Sequence, residues 1–262
     1  MIISHETPIE LLDTFADIND YDYALIHLMK NGKYRKYFEE ALKSGRMVYL
    51  DNSVFELGKA FDTKKFAESA IELQKLSPNN NFVAIAPDVL DNKERTIRNL
   101  FEFKKLVPSN MRVMGVLQGS NTDELFECYD EMVEYTDIIG VNHISVAFES
   151  FKANHINAFY EKSENRIRFV KELAKNPNVS IHLLGILHPN ELAELSKLKQ
   201  VKSADTSNPV CLALEGKSYN EPIYKKPFWN INDWIRTESQ MNPSQKFQAI
   251  LNAMLLKSLI NW

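Results

Sequence analysis

The chain has 262 residues, of which 44% are hydrophobic and 25% charged; this composition indicates a globular protein and excludes collagen-like and disordered chains. Because its formal net charge is −4, a surface that binds nucleic acid would have to be a local patch of positive charge. The two cysteines, Cys128 and Cys211, are too few for a disulfide framework or for a zinc site built from several cysteines. Both are expected to be buried thiols in a reducing compartment.

Several signals that would point to a membrane or a cofactor are missing. Charges interrupt every apolar run before about 18 residues, and the start MIISHETPIE lacks the features of a signal peptide, so we expect a cytoplasmic protein without membrane contact. The motifs G-x-G-x-x-G, G-x-x-x-x-G-K-[ST], H-E-x-x-H and G-x-S-x-G are absent. We therefore expect no cofactor and no bound metal.

Short apolar runs alternate with longer segments of helical period along most of the chain. The predicted strands are 2–4, 23–29, 47–50, 82–86, 113–117, 138–146, 181–186 and 201–204. The predicted helices include 63–76, 92–106, 121–135, 165–176 and 189–197. Capping is expected from Asp62 or Thr63 and from Asn121 or Thr122, while Pro189 follows His188 at a helix entry.

Eight strands that alternate with helices predict parallel pairing, and the length fits a (β/α)8 TIM barrel without a zinc subdomain. An open doubly wound sheet is the alternative architecture, although it would more often need a glycine-rich first turn. We place the barrel at 1–213 and a C-terminal extension at 214–262. The extension ends in a predicted helix, 245–259. Its apolar stripe is expected to face the core and consists of Phe247, Ile250, Leu251, Met254 and Leu255.

The first part of this extension mixes lysines with aromatic residues. Lys217, Lys225, Lys226 and Trp229 are candidates for contact with nucleic acid, because bases stack on aromatic rings beside cationic contacts to the backbone. Two alternatives stay open: a lid, and an extension that simply packs on the barrel rim.

Polar side chains stand at the ends of several predicted strands. Asp51, Asp88, Gln118 and Asp205 each follow or close an apolar run. In (β/α)8 barrel enzymes, the catalytic residues lie at the carboxyl ends of the strands. Carboxylates that lie close together repel one another and destabilise the fold, so a group of them at these ends indicates a functional role. Two carboxylates suit substitution at a glycosidic carbon, with one as nucleophile and the other as acid or base. Gln118 can read the edge of a base, since an amide both donates and accepts.

The same segments resemble motifs of the tRNA-guanine transglycosylase superfamily, including its archaeal and DNA-modifying branches. The loop DNSVFE at 51–56 resembles D-S-G-G-[FY]-Q, and LQGS at 117–120 resembles V-Q-G-G. The segment LLGIL at 183–187 resembles L-M-G-[VI]-G. ADTS at 204–207 resembles the strand that bears the family's nucleophile. The match runs in order over about residues 48–207.

The resemblance implies roles for individual residues. Asp205 would be the nucleophile and Asp51 the general acid or base. Phe55 would stack on the purine, and Asp88 and Gln118 would bind its polar edges. The remaining substrate-binding residues implied by the resemblance are Gly140, Ser145 and Gly185.

The resemblance also suggests the partners. It implies exchange of guanine for a free 7-deazaguanine base, in a barrel that is compatible with a homodimer. The zinc site C-x-C-x-x-C…H of the tRNA enzymes is missing, and Val54 and Glu56 stand where the family has glycine and glutamine. These departures favour DNA over tRNA and a phage-type enzyme acting in the host cytoplasm. Two alternatives stay open: an enzyme acting on free nucleosides or nucleotides, and a non-catalytic nucleic-acid-binding barrel.

Overall fold

The computed structural model of the chain describes residues 1–143, 158–219 and 241–260. Each of the eight predicted strands is present, although several bounds differ. The strands are β1 (Ile2–His5), β2 (Asp22–Leu25), β3 (Val48–Asp51), β4 (Phe82–Ile85), β5 (Arg112–Val116), β6 (Ile138–Asn142), β7 (Ile181–Leu184) and β8 (Val201–Thr206).

Helices follow most of these strands. The α-helices are α1 (Leu12–Ala16), α2 (Gly32–Lys43), α3 (Val54–Leu57), α4 (Thr63–Gln74), α5 (Lys93–Leu106), α6 (Thr122–Met132), α7 (Ala158–Leu173), α8 (Pro189–Leu195), α9 (Asn208–Leu214) and α10 (Pro243–Ser258). Short 3-10 helices cover Ile9–Leu11, Ile26–Leu28 and Val133–Tyr135. Within the described ranges, no helix is long and apolar enough to cross a membrane.

The strands form one eight-stranded sheet in the order β1-β8-β7-β6-β5-β4-β3-β2, and the recorded strand pairs are parallel. Parallel neighbours joined by crossover helices are the (β/α)8 arrangement, so the predicted fold class is confirmed. Strands such as β4 are buried along their whole length, as expected for parallel strands covered on both faces.

The chain divides into two compact units. The continuous unit is Tyr21–Ser145 and contains β2 to β6 and α2 to α6. The discontinuous unit joins Met1–Asp20 to Val146–Trp262 and contains β1, β7 and β8. The predicted boundary between a barrel at 1–213 and an extension at 214–262 stays a prediction.

The predicted helix caps are confirmed at atomic detail. The Asp62 side chain accepts from the backbone N–H of Lys65 at the start of α4. The Asn121 side chain accepts from that of Glu124 at the start of α6. His188 caps α8, with Pro189 in the first turn. Each cap satisfies a donor that the helix leaves unpaired, so these residues fix where the helices begin.

The prediction for the face of the last helix is wrong. Phe247, Leu251, Met254 and Leu255 of the expected core stripe are exposed, Phe247 by 61%, whereas the buried face of α10 carries Ala249, Asn252, Ala253 and Leu256. Asn252 explains the orientation, because its side-chain amide donates to the carbonyl oxygens of Pro209 and Lys217. A buried amide needs such partners, and the small alanines allow α10 to approach α9 closely.

Candidate active site

Asp205 lies near the carboxyl end of β8, in the discontinuous unit. Its side chain is only 5% exposed. Residues two apart on a strand share a face, so Ser203 and Asp205 project from the same side of the sheet. The parallel register pairs Ser203 with His182 on β7 and pairs Asp205 with Ser4 on β1. Three neighbouring strands therefore supply the surroundings of the Asp205 carboxylate.

A buried histidine connects these strands. His182 Nε2 is 2.9 Å from Asp205 Oδ1, and His182 Nδ1 is 2.7 Å from Ser203 Oγ. The side chains of His182 and Ser203 are fully buried. The ring therefore has a hydroxyl on one nitrogen and a carboxylate on the other, and the carboxylate end is the less buried of the two.

The peptide group that joins Leu184 to Gly185 provides a second contact to Asp205. The Gly185 N–H lies 3.3 Å from each carboxylate oxygen, and Arg166 Nη1 donates to the Leu184 carbonyl oxygen of the same peptide at 2.6 Å. A donor on the carbonyl polarises the peptide and strengthens its N–H as a donor. Gly185 has φ +63, a left-handed conformation that glycine adopts without strain.

Arg166 is itself fixed by a fully buried ion pair with Glu191. Both side chains are 0% exposed, and two guanidinium nitrogens contact the two carboxylate oxygens. Arg166 Nη2 also donates to the Gly185 carbonyl oxygen, and Glu191 accepts from the Leu187 N–H. The pair thus holds the whole segment between β7 and α8 that borders Asp205.

Ser4 brings a hydroxyl to the same face of the sheet. Its oxygen is buried and has no hydrogen-bond partner among the described residues. A buried hydroxyl without a partner costs about 1–3 kcal/mol, and a catalytic role or a bound ion or water is a usual reason for its retention.

We therefore expect Ser4→Ala to raise the free energy of unfolding by about 1 kcal/mol, since it removes the unpaired hydroxyl and leaves little empty space. If the hydroxyl binds substrate, the same change raises KM. Urea denaturation measures the first effect and steady-state kinetics the second. A variant that is less stable than the wild type would show that Ser4 has a structural partner.

A second polar cluster lies in the continuous unit, after β4 and β5. Asp88 accepts from Asn52 Nδ2 at 2.8 Å on one oxygen and from Gln118 Nε2 on the other. Gln118 Oε1 in turn accepts from the Asp91 N–H at 3.1 Å. Asp88 and Gln118 are both buried, and burial raises the pKa of Asp88 to about 6 despite the hydrogen bonds from Asn52 and Gln118, which oppose the shift.

Asp51 closes β3 in the same unit and is half-buried. It accepts from the Tyr23 hydroxyl at 2.8 Å and from the Ser53 N–H. Burial, followed by the nearby charge of Glu56, raises the pKa of Asp51 well above its ordinary value, while the hydrogen bonds from Ser53 and Tyr23 act against this. These surroundings therefore favour the protonated form of the Asp51 carboxyl group.

The raised pKa of Asp88 predicts a pH dependence of stability. The folded protein takes up a proton at Asp88 near pH 6, whereas the unfolded chain does so near pH 4, so this contribution is present at low pH and lost as pH rises through about 6. Between pH 7 and pH 5 we expect the wild type to gain about 1 kcal/mol relative to Asp88→Asn. Denaturation of both proteins at the two pH values measures it, and a constant difference would contradict it.

The other predicted site residues are distributed as follows. Phe55 lies on α3, is 47% exposed and makes an edge contact with the ring of His143. Gly140 lies within β6, where its carbonyl oxygen accepts from the Leu117 N–H. Lys217 is exposed and its ammonium is 2.6 Å from Glu215. Ser145, Lys225, Lys226 and Trp229 lie outside the described residues.

Ser53, in the loop after β3, has φ 59, a left-handed conformation unusual for a residue other than glycine. The predicted buried state of Cys128 and Cys211 is confirmed. In the described part of the chain, no group of three or more His, Cys, Asp or Glu side chains could hold a metal ion.

Sequence reasoning missed the residues that surround Asp205. These are Ser4, Arg166, His182, Glu191 and Ser203. Two of these residues could have been found from polar positions within predicted buried strands. His182 lies within the apolar run IHLLGI, and Ser203 lies two residues before Asp205, on the same face of the strand. A polar side chain on the inner face of a buried strand needs a polar partner, so these positions point to one another.

Comparison with known proteins adds one partial similarity. No protein-family model matches the chain. Glutamate–tRNA ligase 1 of Campylobacter hominis is 32% identical over 139 residues, which are 52% of this chain. The chain covers only 27% of the ligase. This similarity does not assign the chain to a family, and the resemblance to the transglycosylases stays a prediction.

Proposed function

We propose that this chain is a base-exchange transglycosylase that replaces guanine in a polynucleotide, DNA in the first place, with a free 7-deazaguanine base. An Asp205 oxygen attacks C1′ of the sugar, so that a C1′–O bond forms while the bond from C1′ to guanine breaks. The electron pair leaves with guanine, which takes a proton from Asp51. A nitrogen of the incoming base then attacks C1′, returns the electron pair to Asp205 and gives its proton to Asp51.

The observation that best supports this proposal is the environment of Asp205. Among the described residues, the contacts of its carboxylate are His182 Nε2 at 2.9 Å and the Gly185 backbone N–H. A lysine or arginine would bind the carboxylate as a permanent counter-charge, whereas a histidine and a peptide orient it and leave lone pairs for attack. Burial of such a carboxylate destabilises a fold, which favours a chemical use for it.

The environment of Asp51 suits the second role. A general acid must carry its proton at working pH, and the pKa of Asp51 is raised well above the ordinary range for aspartate. Asp88 and Gln118 would bind the polar edges of the base, and the exposed ring of Phe55 would stack on it. A purine offers both donors and acceptors, which the Asp88–Gln118 pair can match.

Two other substrate classes compete with DNA. The net charge of −4 favours a small nucleoside or nucleotide as the second candidate substrate. The partial similarity to a tRNA ligase makes tRNA the polymer to compare with DNA. Lys217 is the one residue of the proposed nucleic-acid contacts that the structure describes, and its charge is paired with Glu215.

The test uses purified protein with radiolabelled guanine or 7-deazaguanine and separate pools of DNA, tRNA and free nucleosides. Incorporation and release of label are followed for the wild type and for Asp205→Asn. We expect label to enter DNA with the wild type alone. Binding to each polymer is measured at several salt concentrations, because contact with phosphates weakens steeply as salt rises.

Each outcome discriminates between the candidates. Label that enters tRNA or nucleosides keeps the chemistry and changes the substrate. Salt-dependent binding without exchange of either base supports a non-catalytic nucleic-acid-binding barrel. Exchange that persists undiminished in Asp205→Asn would overturn the assignment of the nucleophile.

A further inference from the structure

We propose that Ser203 and His182 are positioning residues for Asp205: together they fix one tautomer of the histidine ring, anchor Asp205 Oδ1 and leave Oδ2 as the attacking oxygen. This inference rests on the proposed function, because it assigns the geometry of the nucleophile in that reaction. It adds two residues to the mechanism, neither of which contacts the reacting atoms.

The tautomer follows from the partners of the ring. An attacking Asp205 is an ionised carboxylate, which only accepts hydrogen bonds, so the proton of His182 must reside on Nε2, 2.9 Å from Oδ1. In a neutral ring the other nitrogen is then an acceptor. The Ser203 hydroxyl, 2.7 Å from Nδ1, is the donor that this nitrogen requires. Ser203 thereby disfavours the tautomer that would turn an unprotonated nitrogen toward the carboxylate.

The two oxygens of Asp205 are not equivalent. Oδ1 receives the His182 hydrogen bond and a 3.3 Å contact from the Gly185 N–H. Among the described residues, Oδ2 receives only the 3.3 Å contact from the same N–H. The less engaged oxygen retains more lone-pair density. Oδ2 is therefore the oxygen that forms the bond to C1′ and later regains the electron pair.

The hydrogen-bonded order serine, histidine, aspartate resembles a hydrolytic triad. In such a triad the serine faces the substrate, whereas here the aspartate is the most exposed of the three. Ser203 and His182 are 0% exposed, whereas Asp205 is the group nearest the surface. A serine nucleophile must reach its substrate, so Ser203 cannot fill that role here. The chain of hydrogen bonds serves the carboxylate at its outer end.

The first experiment reads the tautomer directly. In protein labelled with ¹⁵N-histidine, NMR distinguishes protonated from non-protonated ring nitrogens, and the spectrum of His182→Gln identifies the His182 signals. We expect a protonated Nε2 and a non-protonated Nδ1 in the wild type. Ser203→Ala should add a population protonated at Nδ1, whereas Ser4→Ala, a buried serine on the adjacent strand, should not.

The second experiment is a double-mutant cycle on base exchange. Ser203→Ala is expected to lower kcat by about 10–100-fold with KM little changed, a loss of the size typical for outer hydrogen-bond partners of metal-binding histidines. In His182→Gln, the glutamine amide can still donate a hydrogen bond to Asp205, but unlike the histidine ring it has no second tautomer. In that background Ser203→Ala should cause little further loss, because the two residues act through one ring.

The outcomes separate this inference from the proposed function. An active wild type with Nδ1 protonated, or with both nitrogens protonated, overturns the positioning role alone. The positioning role alone is also overturned if Ser203→Ala shifts the tautomer without lowering kcat. It is likewise overturned if Ser203→Ala lowers kcat as much in the His182→Gln background as in the wild type. A wild type that exchanges no base overturns the proposed function and with it this role, whatever tautomer NMR shows.

Discussion

Asp205→Asn is expected to lower kcat for base exchange by about 10⁴-fold or more, because an amide is a poor nucleophile and no covalent link to C1′ can form. The fold should be retained. Asparagine has the size of aspartate, and its carbonyl oxygen can still accept from His182 Nε2 and the Gly185 N–H. The effect should therefore fall on kcat rather than on the free energy of unfolding.

The measurement combines single-turnover kinetics with trapping of the protein–DNA adduct on a denaturing gel. Asp51→Asn is the matched comparison, since it removes a carboxylate whose proposed role is proton transfer. Its expected loss is smaller, about 10²–10⁴-fold, and it should still form adduct. If Asp205→Asn forms the adduct, or if Asp51→Asn is the only variant that does not, then Asp51 is the nucleophile and Asp205 the acid or base.

Arg166→Met is expected to lower the free energy of unfolding by about 3–5 kcal/mol, because it leaves the Glu191 carboxylate buried without its counter-charge. The variant also loses the hydrogen bonds from the guanidinium to the carbonyl oxygens of Leu184 and Gly185. The segment that holds the Gly185 N–H beside Asp205 should loosen, so activity should fall more than stability alone explains.

Urea denaturation of three variants tests this expectation. The double variant Arg166→Met/Glu191→Leu should recover much of the loss, since it removes both charges together. Lys171→Ala breaks an exposed pair with Glu194, where the side chains are about half exposed, and should cost under about 1 kcal/mol. A loss in Arg166→Met no larger than in Lys171→Ala would show that the buried pair does not stabilise the fold.

The alternation of strands and helices could be predicted from the sequence because buried parallel strands are nearly continuous apolar runs. The errors have local causes. The run 23–29 continues the apolar pattern of β2, but Ile26–Leu28 forms a 3-10 helix. Helix α2 was missed because its charged residues mask the spacing of buried Tyr34, Phe38 and Leu42. In α10 the apolar stripe was read as buried, whereas hydrogen bonding of Asn252 sets its orientation.

For the candidate site, the sequence could predict which carboxylates lie at or near strand ends, but not which residues contact them. Asp51, Asp88 and Asp205 each stand beside an apolar run that locates them. Their partners come from other strands and helices: Arg166 and Gly185 are 19 residues apart, and His182 and Asp205 are 23 apart. Such pairs depend on strand register and helix packing, which a single sequence does not record.

The pairing of the first strand with the last one has a consequence for how the protein folds during synthesis. In β1, Ser4 lies opposite Asp205 in β8, about 200 residues later in the chain. The continuous unit Tyr21–Ser145 can collapse while the ribosome is still translating, since its strands pair with near neighbours in sequence. The first strand must wait, unpaired on its β8 edge, until β8 has emerged. Asp205 and the strand beside it are therefore assembled late in folding, and a truncated chain that stops before β8 exposes an unprotected strand edge.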